Sequence, residues 1–216
     1  MSEFLKAKGI IFDCDGTLLD SIGVWDEMEQ MLCDRAGIQK TAYVTGLLAT
    51  FTLPETAVWF HEKQGVGASN AEVEKAIDDF MMDYYAHRAK PRPGAIQMVT
   101  NLYNQGTRLV LASSTPHAHL EEGMRAVGLR DCFLQIVSTD DVGASKRERK
   151  IYDHCLGILG TPKEETWGAE DAIYAIRTLK SAGFSALGIK DRDESGTWEE
   201  LSKEADVAIR SWNELL

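Results

Sequence analysis

From Leu109 onward the sequence keeps one rhythm: a short apolar run, a helix-length amphipathic stretch, then another short apolar run. Leu109-Val110-Leu111-Ala112, residues 133–137, Trp167-Gly168-Ala169, Ala186-Leu187-Gly188-Ile189 and Val207-Ala208-Ile209 read as strands. Several are apolar at successive positions, the pattern of strands covered on both faces. Helical stripes separate them: Leu120, Met124 and Val127; then Ile151, Cys155 and Ile158 up to Gly160; then Ile173, Ile176 and Leu179 up to Gly183. Strands that alternate with helices must cross over right-handedly, and the result is a parallel sheet.

The first strand stands apart from this series. Gly9-Ile10-Ile11-Phe12 is a buried-strand run that ends in the acidic loop Asp13-Cys14-Asp15-Gly16-Thr17. Helical spacing follows in Ile22, Trp25, Glu29, Leu32 and Ala36, with Gly37 placed as a C-cap. Val73, Ala76, Ile77, Phe80, Met81 and Tyr84 form a second stripe, and Pro54 punctuates the apolar stretch between the two. No strand pattern occurs between Asp20 and Lys90, and Lys90-Pro91-Arg92-Pro93-Gly94 then breaks the chain. The expected fold is therefore α/β. Residues 1–20 and 91–216 form a Rossmann-like, doubly wound parallel sheet core, and residues 21–90 form an all-helical insertion.

Composition excludes several function classes. The 216 residues carry 23 Lys and Arg against 34 Asp and Glu, a net charge of −11, with no basic stripe to meet nucleic-acid phosphates. No apolar run approaches the ~18 residues that a bilayer span requires. The start, Met1-Ser2-Glu3-Phe4-Leu5-Lys6, has no apolar signal stretch. Cys14, Cys33, Cys132 and Cys155 make no CxxC pair, so reduced and mostly buried thiols are expected, in the cytoplasm. No apolar stripe separate from the core marks an oligomer interface.

Ligands of doubly wound sheets bind beyond the carboxyl ends of the strands. There the sequence places Asp13 after the first strand, Ser113 after the second, Lys146 after the third and Glu170-Asp171 after the fourth. Carboxylate oxygens suit a hard dication such as Mg²⁺, and an ammonium with a hydroxyl suits phosphate oxygens. Each residue also has a plainer reading. Ser113 would cap the helix near Pro116, and Glu170-Asp171 would serve a helix dipole. Lys146 opens the charged run Lys146-Arg147-Glu148-Arg149-Lys150, in which Lys150 is the competing register. His117 and His119 are expected at the surface, and Trp25 and Trp59 lie in the insertion.

Asp13-Cys14-Asp15-Gly16-Thr17-Leu18-Leu19-Asp20-Ser21 resembles the first signature of the haloacid dehalogenase superfamily, in its phosphatase and β-phosphoglucomutase-like branch. Leu111-Ala112-Ser113-Ser114, Lys146 and Glu170-Asp171 fall in the order of the later motifs, and the insertion takes the place of that branch's helical cap. The resemblance implies Mg²⁺-dependent hydrolysis of a small phosphorylated metabolite through an aspartyl-phosphate. Asp13 would be the nucleophile and Asp15 the acid/base. Gly16, Thr17, Ser113, Ser114 and Lys146 would surround phosphate, with amides near Cys14, Asp15 and Gly16 facing it. Asp13, Glu170, Asp171 and the Asp15 carbonyl would hold the metal.

A phosphomutase is the alternative. Its cap carries an arginine three positions after a glycine, where Gly46-Leu47-Leu48-Ala49 has alanine, and Pro116-His117 replaces the lysine expected past the second motif. A dehalogenase would need neither the second aspartate nor the metal. A non-enzymatic phosphoacceptor domain would carry its acidic residues on separate strands and would lack the insertion.

Overall fold

The computed structural model describes residues 2–48, 50–191 and 196–216. They form two compact units, Met1–Ser21 with Ala89–Leu216, and Ile22–Arg88. The larger unit is built on β1 (Gly9–Phe12). Its other elements follow the smaller unit in sequence, and that unit holds α1 (Gly23–Ala36), α2 (Ala42–Leu48), α3 (Leu53–Gln64) and α4 (Asn70–Asp83). After them come α5 (Ala95–Asn104), β2 (Arg108–Ser113), α6 (His117–Ala126), β3 (Gln135–Ser138), α7 (Thr139–Val142) and α8 (Arg149–Leu159). The chain continues through β4 (Thr166–Glu170), α9 (Ile173–Ser181), β5 (Ser185–Ile189), α10 (Trp198–Glu204) and β6 (Val207–Ile209).

The six strands lie in the order β3-β2-β1-β4-β5-β6, and every pair is parallel. This is a Rossmann-like doubly wound sheet, whose winding reverses between β1 and β4. β1 is buried along its whole length and pairs on both edges: Ile11 lies beside Val110 of β2 and Gly168 of β4.

Successive side chains of a strand point to opposite faces. Ile11 packs with Val110, Val137, Ile151, Cys155, Leu159, Ile176 and Leu179, the layer made by α8 and α9. Phe12 turns the other way, with ring centroids 6.3 Å from Phe4, 6.2 Å from Phe133 and 5.6 Å from Trp212. Edge-to-face pairs of this kind add about 0.5–1.5 kcal/mol each beyond the area they bury.

The smaller unit is entirely helical among its described residues. Its ends are set by local chemistry. The Thr52 hydroxyl accepts from the Glu55 amide, and the Glu55 carboxylate reaches back to the Thr52 amide, a reciprocal cap that starts α3. Ser69 caps α4, whose buried face is Val73, Ile77 and Met81. Arg88 pairs with Glu27 at 2.9 Å and lies 4.9 Å over the Phe80 ring. Ala49, the position compared with the phosphomutase arginine, lies outside the described residues.

Two sequence expectations change, and one helix is added. β3 begins at Gln135 rather than near residue 133, because the turn Arg130–Cys132 holds the Phe133 amide on the Arg130 carbonyl. His119 is 2% exposed rather than on the surface, since it shares the buried stripe of α6 with Leu120, Gly123 and Met124. α5, with its buried stripe of Ala95, Met98, Val99 and Leu102, follows directly on the Pro-rich break.

Gly168 shows how closely α9 approaches the sheet. A Cβ on it would overlap the Leu179 side chain, with Cδ2 at 2.6 Å. Gly168→Ala is therefore expected to cost about 1–3 kcal/mol through overpacking. Urea denaturation checks this, and Leu179→Ala in the same chain should recover part of the loss.

Candidate active site

The carboxyl ends of β1, β2 and β4 and the segment before α8 bring the sequence candidates together. Asp13 directly follows β1, and its amide donates to the Ala169 carbonyl of β4 at 2.9 Å, so the strand pairing itself fixes its position. Its carboxylate is 5% exposed and pairs through Oδ1 with Lys146 Nζ. Lys146, 4% exposed, also meets Glu170 Oε1 at 2.8 Å. The Tyr152 hydroxyl, from α8, donates to the same Glu170 oxygen at 3.3 Å. Lys150 does not join them. It is exposed and donates to the carbonyls of Val142 and Gly143 at the end of α7.

The electrostatics follow from burial. Desolvation raises the Asp13 carboxyl above its ordinary range, against the pull of Lys146, and the Asp15 charge adds to the rise. Glu170 is pushed up to about 8, again chiefly by burial. Burial works against the charge on Lys146, but Asp13 and Glu170 outweigh it and hold the ammonium well above its usual pKa.

Asp15 has a different environment. Ser21 Oγ donates to its Oδ1 at 2.5 Å, while Thr115 Oγ1 and Ser113 Oγ reach its Oδ2 at 2.8 and 3.2 Å. The Ser113 hydroxyl also accepts from the Thr115 amide at 3.1 Å, so it orders the turn before α6 as well as Asp15. Ser114 is exposed, and the buried hydroxyl beside it is Thr115. Sequence reading missed Thr115, Ser21 and Tyr152. Their signal was weak: a serine closing the first motif with no role assigned to it, a threonine one position beyond the second, and a tyrosine inside a helical stretch.

The loop that carries the two aspartates is tightly tied. The amides of Leu18 and Leu19 donate to the Cys14 carbonyl at 2.8 and 2.9 Å, and Trp212 Nε1 donates to the Thr17 carbonyl at 2.9 Å. The Gly16 amide, expected to face phosphate, donates to the Leu19 carbonyl at 2.8 Å. Gly16 serves instead by its shape. Its φ is +82°, and a Cβ there would overlap Asp171 Oδ2.

Asp13, Glu170 and Asp171 each offer an oxygen within 4.8 Å of the others. Asp13 Oδ2 and Glu170 Oε2 are buried without a hydrogen-bond partner among the described residues. Buried carboxylate oxygens need a cation or donors. Three carboxylates against one lysine, all donating oxygen, fit Mg²⁺ and not a soft metal. The Asp15 carboxylate is not part of this cluster.

The haloacid dehalogenase-like hydrolase family model matches residues 7–183, and the chain belongs to that family. Hexitol phosphatase B of Escherichia coli K12 is 26% identical over 189 residues, covering 87% of this chain and 85% of the relative. Phosphoglycolate phosphatase of Pectobacterium atrosepticum is 25% identical over 225 residues, covering 100% and 94%. The fold is also that of CbbY from Rhodobacter sphaeroides, solved in complex with phosphate. Its TM-score is 0.75 and its identity 24%, with 97% of this chain and 96% of that one covered.

Lys146 holds two buried carboxylates, whereas Lys150 touches only surface carbonyls. Lys146→Met should lower stability by about 3–5 kcal/mol, the cost of stranding buried charge. Lys150→Met should stay within about 0.5 kcal/mol of the parent. Guanidinium denaturation of both variants distinguishes them.

Proposed function

We propose that this hydrolase is a Mg²⁺-dependent phosphatase of small phosphorylated metabolites that works through an aspartyl-phosphate on Asp13. The observation that carries the reading is the division of labour on one loop. Asp13 faces a buried cluster of charges, and Asp15, two residues on, is held by three hydroxyls away from that cluster. The phosphatase relatives are consistent with it.

An Asp13 oxygen attacks phosphorus and the bond to the substrate oxygen breaks, while Asp15 gives its proton to the departing alcohol. Water then attacks the acyl phosphate, Asp15 takes the proton back, and the Asp13–phosphorus bond breaks to release phosphate. Two of the three Lys146 N–H groups are engaged by Asp13 and Glu170. The third would steady the transferring group, joined by the Ser113 hydroxyl once it turns from Asp15 Oδ2. Asp13, Glu170, Asp171 and the Asp15 carbonyl would hold Mg²⁺, whose positive charge would let one anion approach another.

Hydrolysis is favoured over phosphoryl migration within a sugar. The positions that would grip a second phosphate are Ala49 and Pro116-His117. His117 is exposed and bonded to Asp141 at 2.8 Å. All four cysteines are unpaired, and no described helix is long and apolar enough to cross a membrane. These observations support a cytoplasmic site of action.

With an aryl phosphate as substrate, Asp13→Asn should abolish turnover. Asp15→Asn should slow it by ~10²–10⁴ with Mg²⁺ affinity retained, the usual cost of losing a placed acid/base. Full activity of Asp15→Asn, or activity of the parent unaffected by chelation of Mg²⁺, overturns the assignment.

A further inference from the structure

A fourth carboxylate lies beside this cluster. Asp191, two residues past β5, has a side chain only 7% exposed, and its Oδ1 pairs with Arg92 Nη1 at 2.8 Å. Arg92 also donates through Nη2 to the Lys190 carbonyl at 2.5 Å. Asp191 Oδ2 is buried and has no hydrogen-bond partner among the described residues.

Its direction is set by Gly16. A Cβ built on Gly16 would overlap Asp171 Oδ2 and lie 2.6 Å from Asp191 Oδ2, so both oxygens converge on one point above the loop. Two carboxylates converging in a buried place repel unless a cation or its bound water lies near them. A cavity of about 40 Å³ has Asp171, Asp191, Thr197 and Trp198 among its walls. That exceeds the ~10–15 Å³ a water needs. Asp191 does not join the three residues whose oxygens are mutually within 4.8 Å, so it stands one step further out.

The geometry points to Asp191 as a positioning residue for the divalent cation, orienting cation-bound water and the Asp171 carboxylate through Oδ2 while Arg92 holds Oδ1. This inference rests on the cation reading given above. Groups in this position commonly contribute 10–100-fold to metal affinity. The plainer alternative is a structural tie between residues 90–92 and β5, and it makes a different prediction.

The experiment is Mg²⁺ titration by calorimetry, with thermal unfolding, of the intact protein and three variants. Asp171→Asn should lose Mg²⁺ binding. Asp191→Asn should weaken it 10–100-fold. Arg92→Gln, which frees Asp191 from its counter-charge, should bind Mg²⁺ at least as tightly as the parent. Unchanged affinity in Asp191→Asn, or equal weakening in Arg92→Gln, overturns the proposal and leaves a structural ion pair. Unchanged affinity in Asp171→Asn overturns the cation reading itself, and this inference with it. Should Asp191→Asn fail to fold, the double variant Arg92→Gln/Asp191→Asn removes both halves of the buried pair, and the same weakening is required of it.

Discussion

The Lys146 ammonium is the charge on which the catalytic end of the sheet depends. It joins three separate parts of the chain: Asp13 after β1, the segment before α8, and Glu170 at the end of β4. Without it, β1 and β4 would carry unpaired carboxylates side by side at the sheet's switch point. In return, the two carboxylates keep the lysine charged in a place where burial alone would neutralise it. The pairing is also incomplete by design of the chemistry. One oxygen each of Asp13 and Glu170 is left over, buried and without a hydrogen-bond partner among the described residues.

Around that centre the site separates two carboxylates by environment. Asp13 is surrounded by charge, and Asp15 by hydroxyls from Ser21, Ser113 and Thr115. On the proposed reading, the held and desolvated Asp13 suits a nucleophile, and the neutral partners of Asp15 tolerate both protonation states of an acid/base. A single residue, Cys14, separates these two environments along the chain.

Much of this was legible before any coordinates. The parallel sheet shows itself because buried strands are apolar at successive positions, and Asp13, Ser113 and Glu170-Asp171 fall at strand ends where a doubly wound sheet binds ligands, with Lys146 in the segment between β3 and α8. Other parts were hidden for physical reasons. α5 sits against the Pro-rich break and was masked by it. His119 is polar in type but lies on an apolar stripe. Thr115 and Asp191 owe their roles to three-dimensional convergence, Asp191 through an arginine 99 positions earlier in the sequence. The Gly16 amide was read as a phosphate donor, yet the turn uses it internally, and no spacing pattern shows which amides a turn consumes.

The Trp212 indole gives this architecture a temporal order. It ties down the loop that carries the aspartates by donating to the Thr17 carbonyl across 195 residues of sequence. At ~5–20 residues per second of synthesis, Thr17 waits on the order of 10–40 s before Trp212 even exists. Until then the aspartate loop lacks its tether, and the aromatic layer of Phe4 and Phe12 lacks a member. The two loop carboxylates are therefore made well before the indole that ties down the loop carrying them.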